Sequence, residues 1–162
     1  MILLPLTNQE FDVWAKRCKE DYVQDKMRAH SYSRSEAETI AEDDFSSMLS
    51  MGLETPNNFV LKLVEAGLEV GYLWFCIRDT KAFLCDFIIE EEFRRRGLGQ
   101  AAMKAFEAIV QRLGLEKIGL HVFGFNSQAI ELYKSLGFVI TDLTMEKRTR
   151  PLQTQTLHSE LS

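Results

Sequence analysis

A turn rich in arginine and glycine lies near the middle of the chain, between an apolar run and a helical pattern. It reads Arg94-Arg95-Arg96-Gly97-Leu98-Gly99-Gln100. The first turn of a helix leaves backbone N–H groups unpaired at the positive end of the helix dipole. Glycine lets an anion approach these N–H groups without obstruction by a Cβ atom, and arginine adds mobile positive charge. The turn therefore predicts a binding site for a phosphate or diphosphate group.

Other interpretations of this turn remain open at the level of the residues. Residues 97–102 satisfy the G-x-G-x-x-A form of a dinucleotide-binding turn. That turn follows its strand directly, whereas charged and aromatic residues separate Ile89 from Gly97. A P-loop is excluded because the turn lacks Gly-Lys-Ser or Gly-Lys-Thr. A solvated arginine-rich turn without a ligand is the structural alternative.

Two titratable side chains outside the turn are candidates for proton transfer. Asp86 interrupts an apolar run, where a charge is costly unless it is paired or functional. By strand alternation we expect Asp86 to share a face with Leu84 and Ile88. His121 lies in another apolar run, and an unperturbed imidazole titrates near pH 6.5. Each residue also has a structural alternative. Asp86 could form a hydrogen bond to a neighbouring element, and His121 could simply be packed in its strand.

Helices and strands must position these residues, and the apolar spacing predicts both kinds of element. Amphipathic helices are predicted over about 8–28, after Ser33 or Ser35, over 98–113 and over about 127–135 with Asn126 as a possible N-cap. Short connections make the first three predicted strands an antiparallel meander. Strands are predicted over 59–65, 69–78, 82–89, 117–122 and 138–147.

Length and composition limit the class of protein. The 162 residues are enough for one domain, which we expect over residues 1–150 with a polar tail over 151–162. A net charge of −5 argues against a nucleic-acid partner. Cys18, Cys76 and Cys85 have no metal-ligand spacing, so we expect reduced thiols and no metal. We see no signal peptide and no membrane span, and we expect a cytoplasmic protein.

Two motifs in the correct order resemble the GNAT superfamily of acyl-CoA-dependent N-acetyltransferases. Residues 94–99 fit the family's pyrophosphate loop, Q/R-x-x-G-x-G/A. Residues 126–138 fit its second signature, N-x-x-A-x-x-L-Y-x-x-x-G-F. The resemblance extends over roughly residues 1 to 147, and the segments 52–56 and 120–123 further resemble a bacterial subgroup of uncharacterised GNAT proteins.

The resemblance implies a fold and a coenzyme site. The fold class is α/β (α+β), with a mixed, mostly antiparallel sheet of six to seven strands flanked by about four helices. Coenzyme A, as the cosubstrate acetyl-CoA, would lie in a V-shaped opening between the fourth and fifth strands. The pantetheine arm would pair with the backbone of Phe87, Ile88 and Ile89. The arginines of the loop would add positive charge near the diphosphate. The diphosphate itself would bind the amides of Arg95, Arg96, Gly97, Leu98, Gly99 and Gln100.

The resemblance also suggests roles for three side chains. Asn126 would contact the coenzyme at the mouth of the opening, although a plain N-cap explains it as well. Tyr133 matches the tyrosine that reaches the coenzyme sulfur and protonates the departing thiolate, and a core aromatic is its alternative. His121 stands where some similar members carry a glutamate thought to act as base. Asp86 and His121 both stay candidates for the general base.

The implied activity is acetyl transfer from acetyl-CoA to a primary amine of a small molecule or a protein. We expect this amine to be cationic, and Glu20, Asp21 and Asp25 are candidates to attract it. A non-catalytic acyl-CoA-binding sensor is the alternative, and the presence of Tyr133 argues against it. The resemblance to the family also implies a homodimer.

Overall fold

The computed structural model of the chain describes residues 1–149. The polar tail predicted for 151–162 lies outside the described residues. The elements in chain order are β1 (Ile2–Pro5), α1 (Asn8–His30), α2 (Arg34–Met48), β2 (Asn58–Glu65), β3 (Leu68–Arg78), β4 (Lys81–Ile89), α3 (Leu98–Arg112), β5 (Lys117–Leu120) and α4 (Ser127–Ser135).

Local capping signals set where the helices begin. Thr7 and Glu10 form a capping box at the start of α1, because each side chain accepts from the other's backbone N–H. Ser33 and Glu36 do the same for α2, which decides between the two serines considered as its cap. The Asn126 side chain accepts a hydrogen bond from the Ala129 N–H at 3.2 Å, so α4 begins where the sequence predicts.

The sheet of the described residues has five strands in the order β1-β2-β3-β4-β5. The first four strands pair in antiparallel fashion, and β5 joins β4 in parallel. The fold is therefore the expected α+β arrangement of four helices on a mixed sheet. The expected number of six to seven strands is wrong for this part of the chain.

The missing element is the strand predicted over 138–147, where the structure has no strand up to residue 149. Four apolar side chains of this segment are exposed rather than packed: Val139, Ile140, Leu143 and Met145. The segment is instead attached to the end of α1, where His30 Nδ1 lies 2.9 Å from Glu146 Oε1. Alternating apolar residues indicate a strand only if a neighbouring edge pairs with them.

Helices cover both faces of the sheet. On one face Leu73 and Phe75 of β3 pack with Phe106 of α3 in the larger apolar cluster. On the other face Trp74 packs with Trp14 of α1 and with a phenylalanine of α2. Within residues 1–149, no helix combines the length and the apolar character that crossing a membrane requires. The ends of β4 and β5 lie between these two helical layers.

Candidate active site

The fourth and fifth strands part at one side of the described sheet. Their pairing runs from Lys81 opposite Lys117 to Leu84 opposite Leu120, where β5 ends. The remainder of β4 continues to Ile89 and is paired with β3 alone among the described strands. A gap therefore opens beside Phe87 to Ile89, as expected for a V-shaped coenzyme site.

A β-bulge lies at the point where the gap begins. Trp74 of β3 is opposite Asp86, whereas Phe75 is opposite Leu84, so Cys85 is the extra residue. A bulge places two successive side chains of one strand against a single residue of its partner. Leu84 accordingly packs in the cluster with α3, while Asp86 contacts α1. The expectation that these two residues share a face is wrong, because the bulge resets the alternation.

Asp86 lies in a partly buried position facing α1. Its Oδ2 atom accepts a hydrogen bond from the Cys18 thiol, with a distance of 3.3 Å between sulfur and oxygen. Burial raises the pKa of the Asp86 carboxyl above its ordinary value, and the negative charge of Asp21 raises this pKa further. The Cys18 thiol acts in the opposite direction by stabilising the ionised form. The carboxylate is therefore a stronger base than an exposed aspartate.

Tyr133 projects from α4 into the apolar cluster beneath the sheet. Its side chain is 9% exposed, and its ring lies 5.6 Å from that of Phe138. Burial raises the pKa of the Tyr133 phenol to about 12, with a further contribution from the negative charge of Asp86. The phenol is thus protonated at neutral pH and able to donate a proton. The structure brings it within electrostatic reach of Asp86.

The arginine-glycine turn forms a concave row of amides at the start of α3. Arg95 and Gly97 adopt left-handed backbone conformations, with φ of 59° and 75°. Within residues 1–149, the amide N–H groups of residues 95–100 donate no hydrogen bond. Alternation of right- and left-handed residues aims successive N–H groups at one point and creates an anion-binding nest. The turn therefore presents amides that are open to an anion.

The side chains of this turn have separate surroundings. Arg94 Nε donates a hydrogen bond to the Ile89 carbonyl at 2.8 Å, which braces the end of β4. The guanidinium of Arg96 lies 5.7 Å from the centre of the Phe93 ring. A Cβ atom at Gly99 would lie 3.2 Å from Leu132 Cδ2 of α4, so this glycine also permits close helix packing. Arg94 is thus engaged by the protein itself.

His121 lies on the opposite side of the gap from β4. It follows the last residue of β5, so its predicted place within a strand is wrong. Its exposed ring packs edge-on against Phe123 at 5.0 Å. Partial desolvation lowers the pKa of His121, and the positive charges of Lys26 and His30 lower this pKa further. Among the hydrogen bonds of residues 1–149, none joins His121 to Asp86 or Tyr133.

A cavity of ≈ 370 Å³ opens where α1 passes the start of α4. Asn126 lies at this cavity, and its side-chain oxygen is used as the helix cap. Of the acidic residues expected to attract an amine, Asp25 lines the cavity, whereas Glu20 pairs with Arg34 at 2.8 Å. The cavity is lined by Asp25, Arg28, Phe125, Asn126, Ser127 and Gln128.

Two residues at the site could not be identified from the sequence. Cys18 contacts Asp86, from which it is separated by 68 positions, and Trp14 lies one helical turn earlier on the same face of α1. Their spacing of four residues indicates a common helix face but not what that face meets. For metals, the part of the chain that the structure describes contains no group of three or more His, Cys, Asp or Glu side chains able to hold an ion.

Comparison with known proteins agrees with this geometry. Residues 14–138 match the Acetyltransferase (GNAT) family. YycN, an uncharacterised N-acetyltransferase of Bacillus subtilis, is 31% identical over 154 residues, which cover 91% of this chain and 98% of YycN. The crystal structure of YycN has a TM-score of 0.85 and covers 93% of this chain and 99% of its own.

A more distant structure has the same fold. The PaiA N-acetyltransferase of Thermoplasma acidophilum, solved with coenzyme A, is 17% identical with a TM-score of 0.62. The match covers 88% of this chain and 92% of PaiA. At this identity the likeness concerns the fold alone. By the family match and the similarity to YycN, this chain belongs to the GNAT family of acetyltransferases.

Proposed function

We propose that this protein transfers an acetyl group from acetyl-CoA to a primary amine, by direct attack of the amine on the thioester. The observation that carries the proposal is the row of unengaged amides at residues 95–100 beside the gap between β4 and β5. A diphosphate satisfies such amides at a helix N-terminus. The exposed edge of β4 from Phe87 to Ile89 would then pair with the pantetheine arm.

The side chains at the coenzyme site would contribute to binding in different ways. Arg95 and Arg96 are exposed and supply positive charge to the phosphate groups. Arg94 would contribute indirectly, because its guanidinium holds the Ile89 carbonyl at the end of β4. Asn126 would contact the coenzyme at the mouth of the gap, since its side-chain nitrogen has no hydrogen-bond partner among the described residues.

Acetyl transfer requires proton movement at both ends of the reaction. The amine nitrogen forms a bond to the acetyl carbon, the carbon–sulfur bond breaks, the amine loses a proton and the thiolate gains one. An alkylammonium of pKa near 10.4 is almost wholly protonated at pH 7, and removing its proton costs about 4.6 kcal/mol. A positioned side chain that accepts this proton contributes about 10²- to 10⁴-fold to the rate.

Asp86 would accept the amine proton and Tyr133 would protonate the thiolate. Asp86 lies just beyond the last pair of β4 with β5, and its raised pKa gives the carboxylate useful basicity. Tyr133 keeps its proton at neutral pH because burial disfavours the phenolate. His121, across the gap, is the alternative acceptor, and its lowered pKa leaves the imidazole neutral at pH 7.

Isothermal titration with acetyl-CoA, combined with a thiol-release assay over a panel of cationic and neutral amines, tests the proposal. We expect saturable binding and turnover on at least one primary amine, with cationic amines preferred. Tight binding without turnover on any amine would instead identify an acyl-CoA sensor. Absence of acetyl-CoA binding by the folded protein would overturn both interpretations.

A further inference from the structure

Two side chains of α1, a thiol and an indole, lie on the helix face that meets Asp86. The Cys18 thiol is 3.3 Å from Asp86 Oδ2. Trp14 lies four residues earlier, on the same face of the helix. Its side chain is only 3% exposed, and within residues 1–149 its Nε1 atom has no hydrogen-bond partner. The indole N–H favours the ionised form of the Asp86 carboxyl without forming a hydrogen bond to it.

The indole N–H of Trp14 requires an explanation of its own. Buried N–H groups are almost always paired, and an unpaired one destabilises the folded state. The other buried tryptophan, Trp74, follows this rule because its indole donates to Asn58 Oδ1 at 3.0 Å. The ring of Trp14 packs edge-on against Trp74 at 5.7 Å, and Trp74 is the β3 partner of Asp86. The unpaired N–H is thus held at the site by packing.

We propose that Trp14 and Cys18 are positioning residues that hold the Asp86 carboxylate in the gap and set the pH at which it accepts a proton. This inference rests on the proposed function, in which Asp86 receives the proton of the amine. It gives α1 a part in proton transfer, in addition to the residues of this helix that are candidates to attract the amine.

The charged and titratable groups around Asp86 come from three elements. Asp21 and Cys18 face it from α1, Cys85 precedes it on β4, and Tyr133 is near it from α4. Burial and the negative charge of Asp21 favour the protonated carboxyl. The thiol and the indole are the two side-chain donors that oppose this tendency. Without them Asp86 would remain protonated to a higher pH, so a smaller fraction of the protein would carry the ionised carboxylate that can accept a proton.

Carbon-13 NMR of aspartate-labelled protein tests this inference without requiring turnover. The carboxyl resonance of Asp86 is assigned by its loss in Asp86→Asn and is titrated in each variant. We expect Cys18→Ala and Trp14→Phe each to raise the pKa of Asp86. Cys18→Ser should lower this pKa, because a hydroxyl is a stronger donor than a thiol. Shifts of opposite sign at one position are not explained by a general loss of packing.

A matched control separates the donor effect from loss of bulk. Cys76→Ala removes a buried thiol that makes no hydrogen bond to Asp86 among the described residues. This variant should leave the pKa of Asp86 unchanged. If Cys18→Ala does not fold, Cys18→Ser and Trp14→Phe still test the inference. An unchanged Asp86 pKa in the folded donor variants would overturn it.

The rate profile distinguishes this inference from the proposed function. If Asp86 is the base, the acid limb of kcat/KM moves to higher pH in Trp14→Phe together with the NMR titration. If the NMR titration moves while the acid limb stays in place, the donors do set the Asp86 pKa. In that case the role of Asp86 as base would be wrong.

Discussion

Leu84 of β4 pairs with Leu120 of β5, and the two strands part directly after this pair. Asp86 lies just beyond Leu84 on one side of the opening, and His121 follows Leu120 on the other. The two candidate proton acceptors therefore flank the gap in which the acetyl group would be transferred. The relationship arises because β5 stops while β4 continues past a bulge.

Substitution of Gly97 tests whether the turn at α3 binds the diphosphate. Gly97 has φ of 75°, and apart from its chain neighbours nothing among the described residues lies within 4 Å of an added Cβ. Gly97→Asn should reduce coenzyme A affinity by about tenfold or more, equivalent to about 1.4 kcal/mol, because the side chain would occupy the space of the phosphates. Isothermal titration measures the change.

Gly114→Asn is the matched control. Gly114 also has a positive φ, 72°, with open space around it, but it lies at the far end of α3. Both substitutions place asparagine, which tolerates the left-handed conformation, in an equally strained position. Equal affinities in the two folded variants would contradict the assignment of the turn. Gly99 is less suitable for this test because of its contact with Leu132.

The arginines of the turn should differ in the salt dependence of coenzyme binding. Arg96→Ala should weaken binding by about tenfold and should flatten its dependence on ionic strength, since an exposed charge–phosphate interaction is screened by salt. Arg94→Ala should weaken binding without flattening that dependence, because its guanidinium binds the Ile89 carbonyl. Affinities measured over a series of salt concentrations separate the two effects. The opposite pattern would show that Arg94 is the phosphate ligand.

Removal of the Tyr133 hydroxyl tests its role as general acid. Tyr133→Phe should lower turnover by about 10²-fold and leave coenzyme affinity near that of the wild type. The ring fills the same buried space, and the described residues contain no hydrogen bond to the hydroxyl, so the fold should persist. Steady-state kinetics and calorimetry give the two quantities. Full turnover in the variant would exclude the acid role.

Neutralising Asp86 should lower activity and raise stability. The pKa of Asp86 is higher in the folded than in the unfolded state, so the folded state binds the proton more tightly. Stability contributed by this group therefore falls as the pH rises from about 4 through the folded pKa. Asp86→Asn should have a higher Tm than the wild type at pH 7, and the difference should disappear below pH 4. An unchanged or lower Tm at pH 7 would contradict this account.

His121→Gln distinguishes the two proton acceptors. The pKa of His121 is lowered, so an acid limb caused by its protonation would lie below pH 6.5. We expect the acid limb of kcat/KM to persist in His121→Gln, because protonation of Asp86 would cause it. Turnover of this variant should stay within a few fold of the wild type. Asp86→Asn should lose about 10²-fold or more in turnover. The reverse result would assign the general base to His121.

The features that the sequence determined by itself are those coded over short distances. Ser33 and Asn126 cap their helices through residues three positions away, so the chain needs no distant partner to start α2 and α4. The same holds for the arginine-glycine turn, whose conformation depends on Gly97 and on the beginning of α3. The local backbone of the proposed coenzyme site was therefore predictable.

The surroundings of the proposed base were decided only by the tertiary structure. Cys18 meets Asp86 across 68 positions, and the bulge at Cys85 reverses the face that alternation predicts. A bulge depends on how two strands pair, which periodicity within one strand does not contain. The strand predicted over 138–147 is wrong for the same reason, because an apolar alternation becomes a strand only where another edge accepts it.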